Sequence, residues 1–170
     1  RIFRNEGIDR EHLQDYTQLE FYMAYADYVD GMPLIQELYR MIARAILGTT
    51  KFSVFGHEVD LEDEWKIYRF VDVIKEHYGI DALDSTIEEM QAALSAAGIP
   101  FDPAVTNIDR GIDLLWKKVR KTISGPGFLI DVPVYLAPLA KRSREDSRVV
   151  ERFQVLLAGS ELGKAFSELN

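Results

Sequence analysis

The spacing of apolar and polar residues changes period several times along the chain, and each change predicts an element. Residues 1–8 and 17–27 alternate with period two. Leu19, Phe21, Met23 and Tyr25 fall on one face, and Glu20, Tyr22 and Ala24 on the other. Two strands are expected there, joined antiparallel across the polar stretch DREHLQDY. From about Met32 to Leu47 the period lengthens to that of a helix. Leu34, Leu38, Met41, Ile42 and Ala45 lie on one stripe, with Asp30 as the cap and Gly48 as the stop. KFSVFGHEVDL predicts a hairpin turning at Gly56-His57. From Arg69 to Ser124 the chain reads as largely helical. FVDVIKEHYGI forms one helix closed by Gly79, and STIEEMQAALSAAGI a second opened by a capping box of Ser85 or Thr86 with Glu88 or Glu89. NIDRGIDLLWKKVRK forms a third, with Ile108, Ile112, Leu115 and Val119 on one face. Strands return in FLIDVP (128–133), RFQVLLAG (152–159) and SELGKAFSEL (160–169).

Strand runs on both sides of a helical block predict an α+β domain with a mainly antiparallel sheet. No GxGxxG or GxxxxGK[ST] occurs, so a dinucleotide-binding βαβ unit has no support. With 170 residues, 47% of them hydrophobic, one domain with a real core is expected. No stretch approaches the roughly 18 apolar residues of a membrane span, and no secretory signal is visible. The cysteine count is 0, which excludes disulfides and thiolate metal sites and makes the cytoplasm the expected location. A formal net charge of −8 argues against a protein that coats nucleic acid but leaves room for a local basic patch. Both ends read as cut, the C-terminal one because SELN follows directly on an alternating segment, so a fragment is expected.

Several residue pairs carry candidate chemistry. Arg4 and Glu6 lie two apart, on one face of the first strand. The arginine offers a planar fork for phosphate oxygens and the glutamate an acceptor for an exocyclic amine, while the same pair equally suits a salt bridge on an exposed sheet face. Tyr16 either stacks on a nucleobase or packs on the nearest core. Glu20 with Tyr22, and Phe166 with Glu168, each place a carboxylate and a ring two residues apart. A carboxylate inside a sheet is costly unless paired, and two such pairs suit an ammonium group. Glu161 stands seven residues before Glu168, so the two face opposite sides unless a bulge intervenes near Gly163. His12, His57 and His77 show no metal-ligand spacing. WKKVRK and AKRSRED read as solvated faces, with nucleic-acid contact the lesser alternative.

Taken together, FRNEGI and the later T-x-x-E-x-Y-M-A-Y-A-D-Y resemble motif 2 of the class II aminoacyl-tRNA synthetases, in the form typical of lysyl-tRNA synthetases. PLAKRSRED, VVERF and the terminal ELGKAFSELN resemble the later active-site strands of that family. The similarity is strongest at the two ends, thin in the middle, and runs in order along the chain. It implies a class II synthetase-type sheet, mainly antiparallel, with flanking helices and a helical insertion over 69–124. Residues 1–170 would then be a partial catalytic domain, from motif 2 to just before motif 3; motif 1, motif 3 and the anticodon-binding domain are not among them. The implied activity is that of an aminoacyl-tRNA ligase, which activates L-lysine with ATP and Mg²⁺ to lysyl-adenylate and transfers it to tRNA(Lys). The complete enzyme would be a homodimer without a membrane segment, and the fragment alone inactive or nearly so.

Residue by residue, the resemblance gives Arg4 the ATP α-phosphate and the amino-acid carboxylate, Glu6 the adenine amine and His12 the triphosphate. Tyr16 stands where the family usually stacks a Phe on adenine. Glu20, Tyr22, Lys164, Phe166 and Glu168 match lysine-pocket positions, Glu168 facing the ε-ammonium, and Glu161 matches a Mg²⁺ ligand. Two residues depart from the family pattern. Lys164 replaces a common Asn, and a cation there would repel bound lysine or take its place. Gln154 replaces a frequent Glu, which weakens a Mg²⁺ site by one charge. Two rival readings follow: a paralogue that attaches lysine or a relative to a protein, and a non-catalytic binding module in which Lys164 and Gln154 mark a decayed pocket.

Overall fold

The computed structural model describes residues 1–5, 7 and 12–169. Its centre is a four-stranded sheet of β5 (Lys66–Arg69), β6 (Gly127–Ile130), β7 (Arg152–Leu157) and β8 (Ser160–Phe166), in that spatial order. β5 and β6 run parallel; β6–β7 and β7–β8 are antiparallel. Two short antiparallel pairs stand apart from it: β1 (Ile2–Phe3) with β2 (Asp15–Tyr16), and β3 (Lys51–Val54) with β4 (His57–Asp60). The expected α+β architecture, with a mostly antiparallel sheet and flanking helices, is the one observed.

Period-two alternation in the central strands separates two cores. Leu129 and Leu156 face a helical layer made of α2 (Phe70–Tyr78), α3 (Ile87–Ala96) and α4 (Ile108–Val119). There they join Phe70, Ile74, Met90, Leu94, Ile112 and Leu115, each burial contributing about 1.5–3 kcal/mol. Phe128, Phe153, Val155 and Leu157 point the other way, toward α1 (Tyr28–Leu47) and the β3–β4 hairpin. Parallel strands need a long crossover, and the segment between β5 and β6 supplies it with all three helices. Helix ends follow the sequence signals. Thr86 and Glu89 form a capping box, Asn107 caps α4 through Arg110 N–H at 2.9 Å, and Gly79 ends α2 in the left-handed region.

Three sequence expectations are corrected, and one strand had no sequence signal. Residues 17–27 do not form a strand: Tyr16 ends β2, and Leu19, Phe21 and Tyr22 lie exposed without a ladder partner among the described residues. Alternation marks a strand only where a neighbour accepts its backbone groups. α1 begins at Tyr28, capped by Asp27, and Asp30 serves as the third helical residue of the capping box. The β3–β4 turn sits at Phe55-Gly56, both with positive φ, one residue before the expected place. β5 was marked by no periodic signal, because four residues with a charge at each end are too few.

Candidate functional site

On the helix-bearing face, the sheet is apolar beneath α2–α4 and polar beyond them. β7 presents Arg152, Gln154 and Leu156 there, and their directly opposed partners on β8 are Phe166, Lys164 and Glu161. From Gln154 to Leu156 the pairing advances two residues on β7 but three on β8, so β8 carries one extra residue. Gly163, at φ +86°, lies within that bulge. Without it, Glu161 and Lys164 would face opposite sides of the sheet. From the α1 side, Tyr39 Oη donates to the Leu162 carbonyl at 2.5 Å and pins the bulge.

The polar groups form one chain of hydrogen bonds. Trp116 of α4 donates its indole N–H to Glu161 Oε1 at 2.5 Å, and Gln154 Nε2 donates to Glu161 Oε2 at 2.7 Å. Arg152 Nη2 donates to Gln154 Oε1 at 2.5 Å, which orients the carboxamide. Arg152 Nε is buried without an acceptor. Burial pushes the Arg152 guanidinium below its ordinary pKa, and Glu161 opposes the shift. Burial also lowers the pKa of Lys164, as do the charges of Arg152 and Arg4, with Glu161 pulling the other way. Arg4 follows β1, in the short β1–β2 pair. Its backbone N–H bonds to Gln14 O at 2.9 Å, and its guanidinium carbon stands 5.9 Å from the Tyr16 ring centroid.

Of the residues singled out in the sequence, Glu161, Lys164 and Phe166 therefore lie on this surface, with Gln154 at its centre, while Arg4 and Tyr16 belong to the β1–β2 pair. Glu20 and Tyr22 sit in the exposed segment after β2, where Tyr22 Oη reaches Glu20 Oε1 at 3.5 Å. Glu168 follows the end of β8. Its neighbour Ser167 bonds to Glu151 O at 2.9 Å, to Lys141 N–H at 3.2 Å and to Tyr28 N–H at 3.3 Å, which sets Glu168 next to the start of α1. His12 is exposed in the β1–β2 loop, and Glu6 lies outside the described residues. The sequence reading missed Arg152 and Trp116. Arg152 shares the parity of Gln154, so strand alternation would have found it; Trp116 lies 45 residues from Glu161 and carries no local signal.

The donor set around Glu161 is poorly suited to a divalent cation. Mg²⁺ prefers one or two carboxylates with free oxygens, completed by water and phosphate. Here both oxygens of Glu161 already accept N–H groups, its neighbour is a carboxamide, and the residue opposite that carboxamide is a lysine. Among the described residues no group of three or more His, Asp or Glu could hold a metal ion. These residues do not fit a ligated Mg²⁺.

With this geometry in place, comparison with known proteins decides the family. The model of the class II tRNA synthetases (D, K and N) matches residues 1–170. The chain belongs to this class II synthetase family. A lysine–tRNA ligase of Fervidobacterium nodosum is 42% identical over 172 residues, 100% of this chain and 33% of its own length. The lysine–tRNA ligase of Thermosipho africanus is 42% identical over 170 residues, 99% of this chain and 33% of its own. That of Roseiflexus castenholzii is 41% identical over 172 residues, 100% of this chain and 35% of its own. The chain spans about a third of the length of these relatives. No helix among the described residues is long and apolar enough to cross a membrane.

Proposed function

We propose that this chain is the central part of a lysine–tRNA ligase catalytic domain, one that activates lysine with ATP and passes it to tRNA(Lys). The observation that carries the reading is the identity of 42% along the whole chain to a lysine–tRNA ligase, with Arg4 against the Tyr16 ring and a hydrogen-bonded polar face on β7–β8. In this reading Tyr16 stacks on adenine with Glu6 at its amine, and His12 meets the triphosphate. Arg4 bridges the α-phosphate and the lysine carboxylate, stabilising charge as the carboxylate attacks phosphorus in line and pyrophosphate leaves. Lysine lies along β8 with its ε-ammonium toward Glu168 and Glu20, flanked by Phe166 and Tyr22. Catalysis is positioning and electrostatics, with no covalent enzyme intermediate.

Lysine-dependent ATP–pyrophosphate exchange by the complete gene product tests this reading. Exchange driven by lysine, and not by aspartate, asparagine or arginine, is the expected result. Exchange driven by another amino acid, or by none, overturns it.

A further inference from the structure

Helix α1 is apolar on two sides. Tyr28, Met32, Ile35, Tyr39 and Ala43 pack with Phe128 and Phe153, which buries one face against the sheet. The stripe that stands out in the sequence, Leu34, Leu38, Met41, Ile42 and Ala45, is not that face. Leu34 is 46% exposed, Met41 55% and Ile42 44%. A helix that is apolar on both sides is suited to a place between two neighbours, and α1 has one.

The spacing of the open face defines the second neighbour. Leu34, Leu38, Met41 and Ala45 follow at intervals of four, three and four residues, the a/d rhythm of a helix–helix seam. At about 1.5 Å per residue the seam is about 16 Å long, and the small side chain of Ala45 lets a second axis approach closely. Glu37 and Arg44 lie along its margin, 3.4 Å apart and paired with each other. The seam therefore asks for an apolar helix, not for a charged partner.

Its size decides where that helix comes from. Four side chains contribute about 1.5–3 kcal/mol each on full burial, and these are already half covered, so the seam supplies only a few kcal/mol. A separate molecule loses about 4–15 kcal/mol in translational and rotational freedom on binding, and a seam this small does not offset that. A helix of the same polypeptide loses only loop-closure entropy, which grows slowly with loop length. This chain spans about a third of the length of its relatives, which leaves ample polypeptide to provide it.

We propose that the Leu34–Leu38–Met41–Ala45 seam of α1 is the docking site for an apolar-striped α-helix from the part of the same polypeptide outside residues 1–170. The inference uses the length of the relatives and not the ligase chemistry, so lysine-dependent exchange can fail without touching it.

Two measurements on the complete gene product test it. Met41→Cys, in a background without other cysteines, should react with Ellman's reagent about a hundredfold or more slower in the native protein than in urea, the mark of a thiol reached only by local opening. Equal rates overturn the proposal. p-Benzoylphenylalanine in place of Ile42, irradiated and resolved by denaturing electrophoresis and peptide mass spectrometry, identifies the neighbour. The expected product has the mass of one chain and joins residue 42 to a peptide outside residues 1–170. A product of doubled mass, which would make a second copy the occupant, overturns the proposal. So does an adduct confined to residues 1–170, or no adduct.

Discussion

Trp116 Nε1 lies 2.5 Å from Glu161 Oε1, so a side chain of the helical crossover holds a carboxylate of the edge strand. The indole also packs on Phe70, with ring centroids 5.1 Å apart, and is almost fully buried. One residue thereby serves both the core and the polar surface. Trp116→Phe keeps most of the apolar volume and removes the donor, so its cost is mainly a hydrogen bond to a charged group, about 1.5–3 kcal/mol. Urea unfolding of Trp116→Phe, Glu161→Gln and the double variant measures the coupling. A coupling energy within about 0.5 kcal/mol of zero would show that the contact contributes nothing.

The bulge in β8 is the second device on which the polar face depends. Gly163 at φ +86° adopts a conformation that costs an L-residue about 1–2 kcal/mol. An added Cβ would stand 3.6 Å from Tyr39 Oη, an ordinary contact, so Gly163→Ala should lose that conformational energy and little else. Tyr39→Phe should cost about 1 kcal/mol by leaving the Leu162 carbonyl without its donor. Thermal denaturation gives both values. Amide hydrogen exchange should show faster opening confined to residues 160–166. Unchanged stability in Gly163→Ala would mean that the strand accommodates a regular register there.

How much of this was legible in the sequence depends on the range of the interaction. Helices α2, α3 and α4 were readable because their caps and apolar stripes are local: Thr86 with Glu89, Asn107, and Gly79. The bulge was foreseeable because only glycine sits comfortably at Gly163. Residues 17–27 misled because alternation is necessary but not sufficient for a strand; no described neighbour pairs with them. Glu161 stands out through the resemblance to the synthetases, whereas no sequence pattern links Trp116 to it. That contact exists because the parallel pairing of β5 and β6 folds α4 back over the sheet.

Asp146 supplies an acid-sensitive latch. Arg148 donates to it through Nε at 3.0 Å, Nη2 at 2.8 Å and its backbone N–H at 2.9 Å, while Arg148 Nη1 reaches Asp84 at 2.7 Å. These bonds lower the Asp146 pKa from 3.8 to about 2, the Arg148 side-chain hydrogen bonds being the largest cause. A depressed carboxylate stabilises the fold fully above its unfolded pKa, and the contribution fades as pH falls from 3.8 toward about 2. Arg148→Ala should return the Asp146 titration toward its ordinary value and flatten the stability curve across that window. Carbon-13 NMR of the Asp146 carboxyl measures the shift directly. A midpoint unmoved by the substitution would exclude Arg148 as the cause.

Gly111 and Met90 set the distance between α3 and α4. A Cβ at Gly111 would fall 1.8 Å from Met90 Sδ and 2.7 Å from its Cγ, and Met90 is completely buried. Gly111→Ala gains about 1 kcal/mol in helix propensity but forces a packed side chain aside, at about 1–3 kcal/mol. The balance should be destabilising in the wild-type background. Met90→Ala alone should cost about 2–5 kcal/mol by opening a cavity at the same contact. In that background the new methyl enters space that Met90 has left, so Gly111→Ala should become neutral or stabilising. Chemical denaturation of the four proteins tests the change of sign. The same cost in both backgrounds would mean that Met90 moves freely and that Gly111 is not what brings the helices together.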